Sequence, residues 1–222
     1  MSDGYSGRPR IGTDETGKGD YFGDLVIAGV WADQRLEDIL AGLGVCDSKR
    51  LSDSRARELA ERIEDLCPVE VVRISPVKYN ELYEKMGNLN KLLAWGHARV
   101  LENLLGRVSA DLAICDQFGD ERYVREALMR QGRRIELIQK TGAESDLVVA
   151  AASIVARATF LSRLANLSRE VGIKLPKGAL HIHGAARELH QRGGLELLGK
   201  VAKLHFRTTQ QIIRSTKPTD AH

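Results

Sequence analysis

The spacing of apolar residues along the chain predicts strands that alternate with helices. Residues 10–14 and the apolar run 22–31 are rich in β-branched and aromatic side chains, as buried strands are. The glycine-rich segment between them predicts a hairpin. A helical period then extends from about residue 51 to 66, with a Ser or Asp cap before it and Pro68 after it.

The rest of the chain continues this alternation. Strands are predicted over 69–74, 112–115 and 134–138, and helices over 79–85, 89–105, 121–130, 144 to about 167, and 175 to about 204. Three meandering strands followed by strands that are added through crossover helices predict an α/β fold, a mixed sheet flanked by helices. We expect residues 1–9 to be disordered and residues 10–222 to form one domain, with the C-terminal helices as an extension of it.

Charge is distributed unevenly along the chain. The 222 residues are 43% hydrophobic and carry a formal net charge of +3, so a folded core is expected. Residues 157–222 contain 12 Lys and Arg but 4 Asp and Glu, which leaves the remainder acidic. This separation suits a protein that neutralises phosphates with one surface and holds cations with another, although a solvated basic helical surface explains it equally well.

The sequence has no predicted targeting or membrane segment. The first ten residues lack an apolar core, and no window contains 18 uninterrupted apolar residues, so we expect a cytoplasmic protein. The three cysteines lack C-x-x-C spacing, which argues against a disulfide framework and a zinc site. None of the six histidines, including His97 in a predicted helix, has a partner at a zinc-like spacing.

Four carboxylates lie at the ends of predicted elements. Asp14 and Glu15 end the first strand, Asp116 follows the strand at 112–115, and Glu144 begins the long helix. If they converge, their mutual repulsion requires divalent cations, and oxygen ligands favour Mg²⁺ or Mn²⁺. Two such ions can activate a water and stabilise a leaving oxygen in phosphodiester hydrolysis. Because neighbouring strand residues point to opposite faces, Asp14 and Glu15 can share one centre only if the chain turns or bulges there.

The fourth ligand is open at this point. A carboxylate at a helix N-terminus, as Glu144 is predicted to be, also has a purely structural use as a cap. Asp146 is the alternative ligand, since it lies two residues on and about 200° around the helix.

Two short segments are candidates for substrate contact. Gly17, Lys18 and Gly19 offer bare backbone and a cation to a ribose or phosphate, although a plain tight turn is as good an explanation. Ser48 and Lys49 offer a hydroxyl and an ammonium, but a helix-entry turn would explain them too. The fit of residues 12–18 to a nucleotide-binding G-x-x-x-x-G-K loop fails at Gly19, where a Ser or Thr is needed, and a strand follows instead of a helix.

Taken in order, several motifs resemble ribonuclease HIII over about residues 10–207, and their combination is far more specific than any one of them. They are Asp14-Glu15-Thr16-Gly17-Lys18-Gly19-Asp20-Tyr21-Phe22-Gly23, Asp47-Ser48-Lys49-Arg50-Leu51, Asn88-Leu89-Asn90, Asp116-Gln117-Phe118, Ala150-Ala151-Ala152-Ser153-Ile154-Val155-Ala156-Arg157, Leu175-Pro176-Lys177-Gly178-Ala179 and Val201-Ala202-Lys203-Leu204-His205-Phe206.

The resemblance implies a ribonuclease-H-like fold and a metal-dependent endonuclease that cuts the RNA strand of RNA/DNA hybrids, leaving a 3′-hydroxyl and a 5′-phosphate. It implies that Asp14, Glu15, Asp116 and Glu144 bind two Mg²⁺ or Mn²⁺ ions and that the Gly17–Gly19 turn contacts the ribonucleotide. No obligate protein partner and no membrane are expected. A noncatalytic nucleic-acid binder on the same fold is the alternative from another class.

The glycine-lysine-glycine form and a glutamate in the fourth place resemble type HIII more than type HII, which usually has Gly-Arg-Gly and an aspartate. Type HII also has a C-terminal tyrosine that senses a single ribonucleotide, whereas this chain has no tyrosine after Tyr123. Weak cleavage at single embedded ribonucleotides is therefore expected. Type HIII normally has an N-terminal substrate-binding domain, while about ten residues precede the first strand here.

Overall fold

Five strands form one mixed sheet in the computed structural model, which describes Tyr5 and residues 7–215. The strands are β1 (Arg10–Thr16), β2 (Leu25–Ala32), β3 (Val69–Ile74), β4 (Leu112–Asp116) and β5 (Glu136–Lys140). Their spatial order is β3-β2-β1-β4-β5. β1 pairs antiparallel with β2 and parallel with β4, and β4 pairs parallel with β5. The predicted hairpin, mixed sheet and parallel additions are therefore confirmed.

Eight α-helices accompany the sheet within the described residues. They are α1 (Gln34–Gly42), α2 (Asp53–Leu66), α3 (Pro76–Met86), α4 (Leu89–Leu105), α5 (Arg122–Ala127), α6 (Leu147–Val171), α7 (His183–Val201) and α8 (Arg207–Ser215). Polar caps begin several of them; the Ser52 hydroxyl, for example, accepts a hydrogen bond from the N–H of Arg55 at the start of α2. Helices α1 and α8 were not predicted, and α7 begins eight residues later than predicted.

The chain forms two compact units. Among the described residues, unit 1 contains those up to Thr16, Val26–Arg73 and Asn88–Thr159, and unit 2 contains Gly17–Leu25, Ile74–Gly87 and those from Phe160 to Ser215. The single domain expected over 10–222 stays a prediction. Of the segment expected to be disordered, residues 1–4 and 6 lie outside the described residues, while Tyr5 packs against a cluster that includes Leu112 and Val149.

In unit 1, helices cover both faces of the sheet. Even-numbered positions of β1 face α6: the side chain of Arg10 forms an ion pair with Asp146, which lies just before that helix. Odd-numbered positions face α4, where Thr13 is hydrogen-bonded to His97. The ends of β1 and β4 therefore lie between two helices, which is where the predicted carboxylates are found.

Helix α6 corresponds to the long apolar helix that the sequence predicts from residue 144 to about 167. Within the described residues it alone has the length and composition to cross a membrane, and 72% of its most apolar stretch is buried inside the fold. Burial of that kind is typical of a helix in the core of a globular protein.

In unit 2, helix α3 holds the C-terminal helices together. The Asn80 side chain donates hydrogen bonds to the carbonyls of Gly199 and Ala202 and accepts one from the N–H of Leu204. One amide thus satisfies three backbone groups at the end of α7, where the last helical carbonyls lack partners within the helix.

Candidate active site

Asp14 and Asp116 lie at matching positions of the neighbouring parallel strands β1 and β4, with Asp116 as the last residue of β4 and Asp14 two residues before the end of β1. Thr13 of β1 is paired with Cys115 of β4, so each aspartate lies one position beyond that pair. Side chains at matching positions of neighbouring strands point to the same face, about 5 Å apart along the hydrogen-bonding direction. The two predicted aspartates are therefore brought together at one edge of the sheet.

Asp116 is held by the turn before α6. Its Oδ1 accepts hydrogen bonds from the N–H groups of Gly142 at 3.1 Å and Ala143 at 3.3 Å. Glu144 follows directly in the 3₁₀ turn Ala143–Ser145. The contact thus ties the fourth predicted carboxylate to the strand end that carries the third.

Gly12 allows α6 to approach the sheet closely enough to reach Asp14. A Cβ atom at this position would lie 2.4 Å from the backbone of Val148 and Val149, so no larger residue fits. Two residues further on, Asp14 is hydrogen-bonded to the Ser153 side chain of the same helix. Burial and then the charge of Glu15 raise the pKa of Asp14 to about 6, although the Ser153 hydrogen bond opposes that rise. A cation near Asp14 would therefore relieve an electrostatic penalty.

Glu15 points to the opposite face of β1. The ladder with β2 is regular here, with Asp14 opposite Ala28 and Glu15 opposite Ile27, so the turn or bulge considered from the sequence is not present. The Glu15 carboxylate lies 3.2 Å from Nε2 of His97, and its side chain is 2% exposed. Asp14 and Glu15 therefore leave β1 on opposite faces, and the turn or bulge that the sequence required for them to share one centre is absent from this strand.

The buried thiol of Cys115 lies within the field of three of the four carboxylates. Burial raises its pKa first, and the negative charges of Glu15, Asp116 and Asp14 raise it further. A negative charge on the Cys115 thiol would therefore be opposed by all three of these carboxylates.

The structure separates the two candidates for the fourth ligand. Asp146 is buried, forms an ion pair with Arg10 at 2.9 Å, and accepts hydrogen bonds from the N–H groups of Val148 and Val149. These contacts make it the structural cap of α6. Glu144, by contrast, keeps a side chain that is 27% exposed, with Nζ of Lys49 at 3.3 Å from Oε1. Of the two carboxylates, Glu144 is the one that the fold leaves partly exposed, so it stays the predicted ligand.

Ser48 and Lys49 have different surroundings. The Ser48 hydroxyl is buried and lies 2.7 Å from that of Ser153, the residue that holds Asp14. Arg157 of α6 donates to the Ser48 carbonyl and also bonds Asp53 at 2.7 Å, which fixes this turn. Lys49 is 79% exposed, and its hydrogen bond with Glu144 raises its pKa. Lys49 is thus available at the surface, whereas the Ser48 hydroxyl supports the carboxylate site from behind.

A surface pocket opens beside Glu144. It has a volume of about 430 Å³ and is lined by residues that include Cys46, Asp47, Arg50 and Glu144. It places one arginine next to one of the predicted metal-binding carboxylates.

The predicted ribonucleotide-binding turn belongs to unit 2. Gly17 has φ +97° and a Cβ there would lie 2.2 Å from the carbonyl oxygen of Asp24, so this position requires glycine. Gly19 is exposed, and apart from Gly19 and its two chain neighbours no heavy atom lies within 4 Å of the position where its Cβ would be. The packing of this chain therefore does not explain a glycine at position 19.

A buried lysine holds the segment that directly follows this turn. Nζ of Lys203 donates to the carbonyls of Asp20 at 2.9 Å and Gly23 at 2.6 Å, and its backbone N–H bonds the carbonyl of Tyr21. Burial lowers the pKa of Lys203 to about 8. Residues 20–23, which directly follow the turn, are thus held by three bonds from one residue of the C-terminal segment.

The donor set fits hard divalent cations. Four carboxylates supply only oxygen ligands, as Mg²⁺ and Mn²⁺ prefer. In residues 7–215, no three His, Cys, Asp or Glu side chains already form a cluster tight enough to hold an ion. Each carboxylate has a protein partner instead: Ser153 for Asp14, His97 for Glu15, the Gly142 turn for Asp116 and Lys49 for Glu144.

Comparison with known proteins identifies the family. The sequence model of the family described as ribonuclease HII matches residues 11–209, which includes every candidate residue above. The chain belongs to the ribonuclease HII family. It is therefore an endoribonuclease of the ribonuclease H type.

Similar members of this family are ribonucleases HIII. The chain is 47% identical over 206 residues to ribonuclease HIII of Protochlamydia amoebophila, covering 92% of this chain and 68% of that protein. It is 46% identical to ribonuclease HIII of Chlamydia pneumoniae over 211 residues, covering 92% of this chain and 70% of that protein. The chain thus spans about 70% of the length of these relatives.

Solved structures agree with the fold. The crystal structure of Bst-RNase HIII in complex with Mn²⁺ superposes with a TM-score of 0.88 at 34% identity, covering 96% of this chain and 72% of the other. Aquifex aeolicus RNase H3 superposes with a TM-score of 0.75 at 32% identity, covering 91% and 74%. The predicted ribonuclease-H-like fold and family resemblance are confirmed.

Sequence reasoning missed three supporting residues. His97, Ser153 and Lys203 contact Glu15, Asp14 and the Gly17–Gly23 turn, respectively. Ser153 and Lys203 lie within the motifs that resemble ribonuclease HIII, but no role was predicted for them. His97 carried a different signal, since it is a polar residue on the buried face of α4, and a buried polar side chain requires a partner.

Proposed function

We propose that this ribonuclease H hydrolyses the RNA strand of RNA/DNA hybrids with two divalent ions held by Asp14, Glu15, Asp116 and Glu144. The observation that carries the proposal is the register that sets Asp14 and Asp116 side by side, with Glu144 tied to Asp116 through the Gly142 turn. The Mn²⁺ in the related Bst-RNase HIII supports the choice of Mg²⁺ or Mn²⁺.

When bound, the ions would lower the pKa of the attacking water and stabilise the departing oxygen. Hydrolysis forms a bond from the water oxygen to phosphorus and breaks the bond from phosphorus to O3′, which leaves a 3′-hydroxyl and a 5′-phosphate. Ser153 orients Asp14, and Ser48 acts through Ser153. Lys49, exposed beside Glu144, is the group we assign to a substrate phosphate.

We assign reading of the ribose to the Gly17-Lys18-Gly19 turn. The open space at the Cβ position of Gly19 supports this role, because a backbone without a side chain allows a sugar to approach closely. A 2′-hydroxyl is the group that distinguishes RNA from DNA at such a contact.

Cleavage of three labelled duplexes with Mg²⁺ and with Mn²⁺ tests the substrate. They are an RNA/DNA hybrid, a DNA duplex with a single ribonucleotide, and a DNA duplex. We expect strong cutting of the hybrid and weak cutting of the second duplex. Preferred cutting at the single ribonucleotide would favour a type HII specificity, and no cutting of any duplex would favour a noncatalytic binder.

We further propose that the basic C-terminal third supplies most of the electrostatic attraction to the hybrid. Exposed cations support this role, among them Lys174, Arg187, Arg207 and Arg214. Replacing these four by Gln is expected to flatten the dependence of log K on log[salt] by about one unit for each phosphate that the protein no longer neutralises. An unchanged slope would remove this proposal.

A cytoplasmic location and the lack of an obligate protein partner stay predictions from the sequence. Cell fractionation checks the first, and size-exclusion chromatography of the purified protein with light scattering checks whether it acts alone.

A further inference from the structure

His97 is a fully buried histidine behind the strand end that carries Glu15. It lies on α4 and is 0% exposed. Its ring stacks on Phe118, with the ring centroids 5.0 Å apart and an angle of 22° between the planes. Phe118 follows Asp116 by two residues, so the ring is held against the segment that leaves β4.

Both ring nitrogens of His97 have a partner on β1. Nδ1 lies 2.8 Å from Oγ1 of Thr13, and Nε2 lies 3.2 Å from Oε2 of Glu15. Thr13 and Glu15 point to the same face of the strand because they are two residues apart. One imidazole therefore spans two successive side chains on one side of β1.

The chemistry of these groups gives the chain of hydrogen bonds a direction. An ionised carboxylate only accepts hydrogen bonds, so Nε2 of His97 carries the proton that it donates to Glu15. In the neutral ring Nδ1 is then an acceptor, and the hydroxyl of Thr13 donates to it. Thr13 thus selects the tautomer that presents a donor to Glu15.

We propose that His97 is a positioning residue that holds the Glu15 carboxylate for metal binding, with Thr13 fixing its tautomer. The inference rests on the proposed function, in which Glu15 is a ligand. A carboxylate on a flexible side chain beside the like charge of Asp14 would otherwise turn away, because repulsion favours separation. Loss of a hydrogen bond that orients a metal ligand typically costs about 10- to 100-fold in metal affinity.

Two amides of different length separate the role of Nε2 from that of ring volume. In His97→Gln the amide nitrogen can approach the position of Nε2 and donate to Glu15, whereas in His97→Asn it reaches only the position of Nδ1. We expect isothermal titration calorimetry to show Mn²⁺ binding near wild type for His97→Gln and about 10- to 100-fold weaker for His97→Asn. Equal weakening in both variants would overturn the proposal, because it would show that the ring itself is what matters.

Thr13 provides a second and milder test. Thr13→Val removes the hydroxyl, and Thr13→Ser keeps it. Weaker Mn²⁺ binding in Thr13→Val with wild-type binding in Thr13→Ser is expected, and this pair also decides the question if His97→Asn does not fold. Wild-type affinity in Thr13→Val would overturn the tautomer assignment.

Glu15→Gln separates this inference from the proposed function. If Glu15→Gln leaves Mn²⁺ affinity unchanged, the assignment of Glu15 as a ligand is wrong. If Glu15→Gln weakens binding while the His97 and Thr13 variants bind as wild type does, only the role of His97 is wrong.

Discussion

Lys203 is a buried ammonium whose replacement should change the pH dependence of stability. Its side chain is 0% exposed, and burial lowers its pKa from 10.5 to about 8. Below pH 8 the folded and unfolded states both hold the proton, so the penalty for the buried charge is present in full. Between pH 8 and 10.5 only the unfolded state keeps the proton, so stability from this group rises with pH.

The size of this rise follows from the pKa shift. A shift from 10.5 to about 8, at 1.4 kcal/mol for each unit, corresponds to about 3 kcal/mol in the free energy of unfolding. The wild-type curve alone does not isolate this rise, because burial also raises the pKa of the Cys67 thiol, from 9.0 to about 11. The contribution of Cys67 to the free energy of unfolding therefore falls as the pH rises above about 9. The difference between wild type and Lys203→Met removes such shared contributions.

Urea unfolding followed by far-UV circular dichroism at several values from pH 7.5 to 10.5 measures this difference. We expect wild type to gain about 3 kcal/mol relative to Lys203→Met across the range. Lys200→Met is the matched control, since Lys200 is exposed on α7 and paired with Glu196, so its replacement removes a lysine without removing a buried ammonium. A difference for Lys203→Met that is constant with pH would refute the reasoning.

Three further predictions concern the site. Gly19→Ala should unfold at the wild-type temperature but raise KM for the hybrid. Gly17→Ala should lose about 1–3 kcal/mol of stability, because position 17 combines a positive φ with a 2.2 Å contact to its Cβ. Thermal unfolding and steady-state kinetics check both variants, and a wild-type KM in Gly19→Ala would contradict the ribose contact. Glu144→Gln should abolish cleavage with little loss of stability, while Asp146→Asn should lower the unfolding temperature yet retain activity in the folded fraction; the reverse pattern would make Asp146 the ligand. Ser153→Ala should weaken Mn²⁺ binding, measured by calorimetry, because Asp14 loses the hydrogen bond that stabilises its charge; unchanged binding would argue against this support.

The fold was predictable where the evidence is local. Apolar runs and helical periods depend on neighbouring residues, so the strands, the hairpin and the long helix α6 were predicted. Helix α1 was missed because it is only nine residues long and begins two residues after the end of β2, so its helical period extends over little more than two turns. The start of α7 was also misplaced: residues 175–182 have mixed apolar and polar character but contain no helix.

The candidate site was predictable only in part, for the same physical reason. Strand ends are local features, so Asp14 and Asp116 were predicted from them, and the register of β1 and β4 brings the two residues together. The choice between Glu144 and Asp146 depends on Arg10, which is 136 residues from Asp146 in the chain. The position of the Ser48 hydroxyl likewise depends on Ser153, 105 residues away. Contacts over such distances leave no periodic trace in the sequence.

Side-chain direction was the other missing information. The sequence required a bend for Asp14 and Glu15 to share one centre, yet β1 is regular to Thr16 and the two carboxylates face α6 and α4. Asp14 and Glu15 nevertheless both raise the pKa of Cys115, because the three residues lie near the ends of the neighbouring strands β1 and β4.

Single-turnover cleavage of a labelled RNA/DNA hybrid by wild type and Asp116→Asn tests the central claim most directly. Asn keeps the shape of the side chain and can still accept hydrogen bonds from the Gly142 turn, but it removes the charge that the ions require. With equal folding and hybrid binding, we expect wild type to cut the RNA strand with Mg²⁺ or Mn²⁺ and Asp116→Asn to be inactive. Cleavage by Asp116→Asn at the wild-type rate would contradict the carboxylate site.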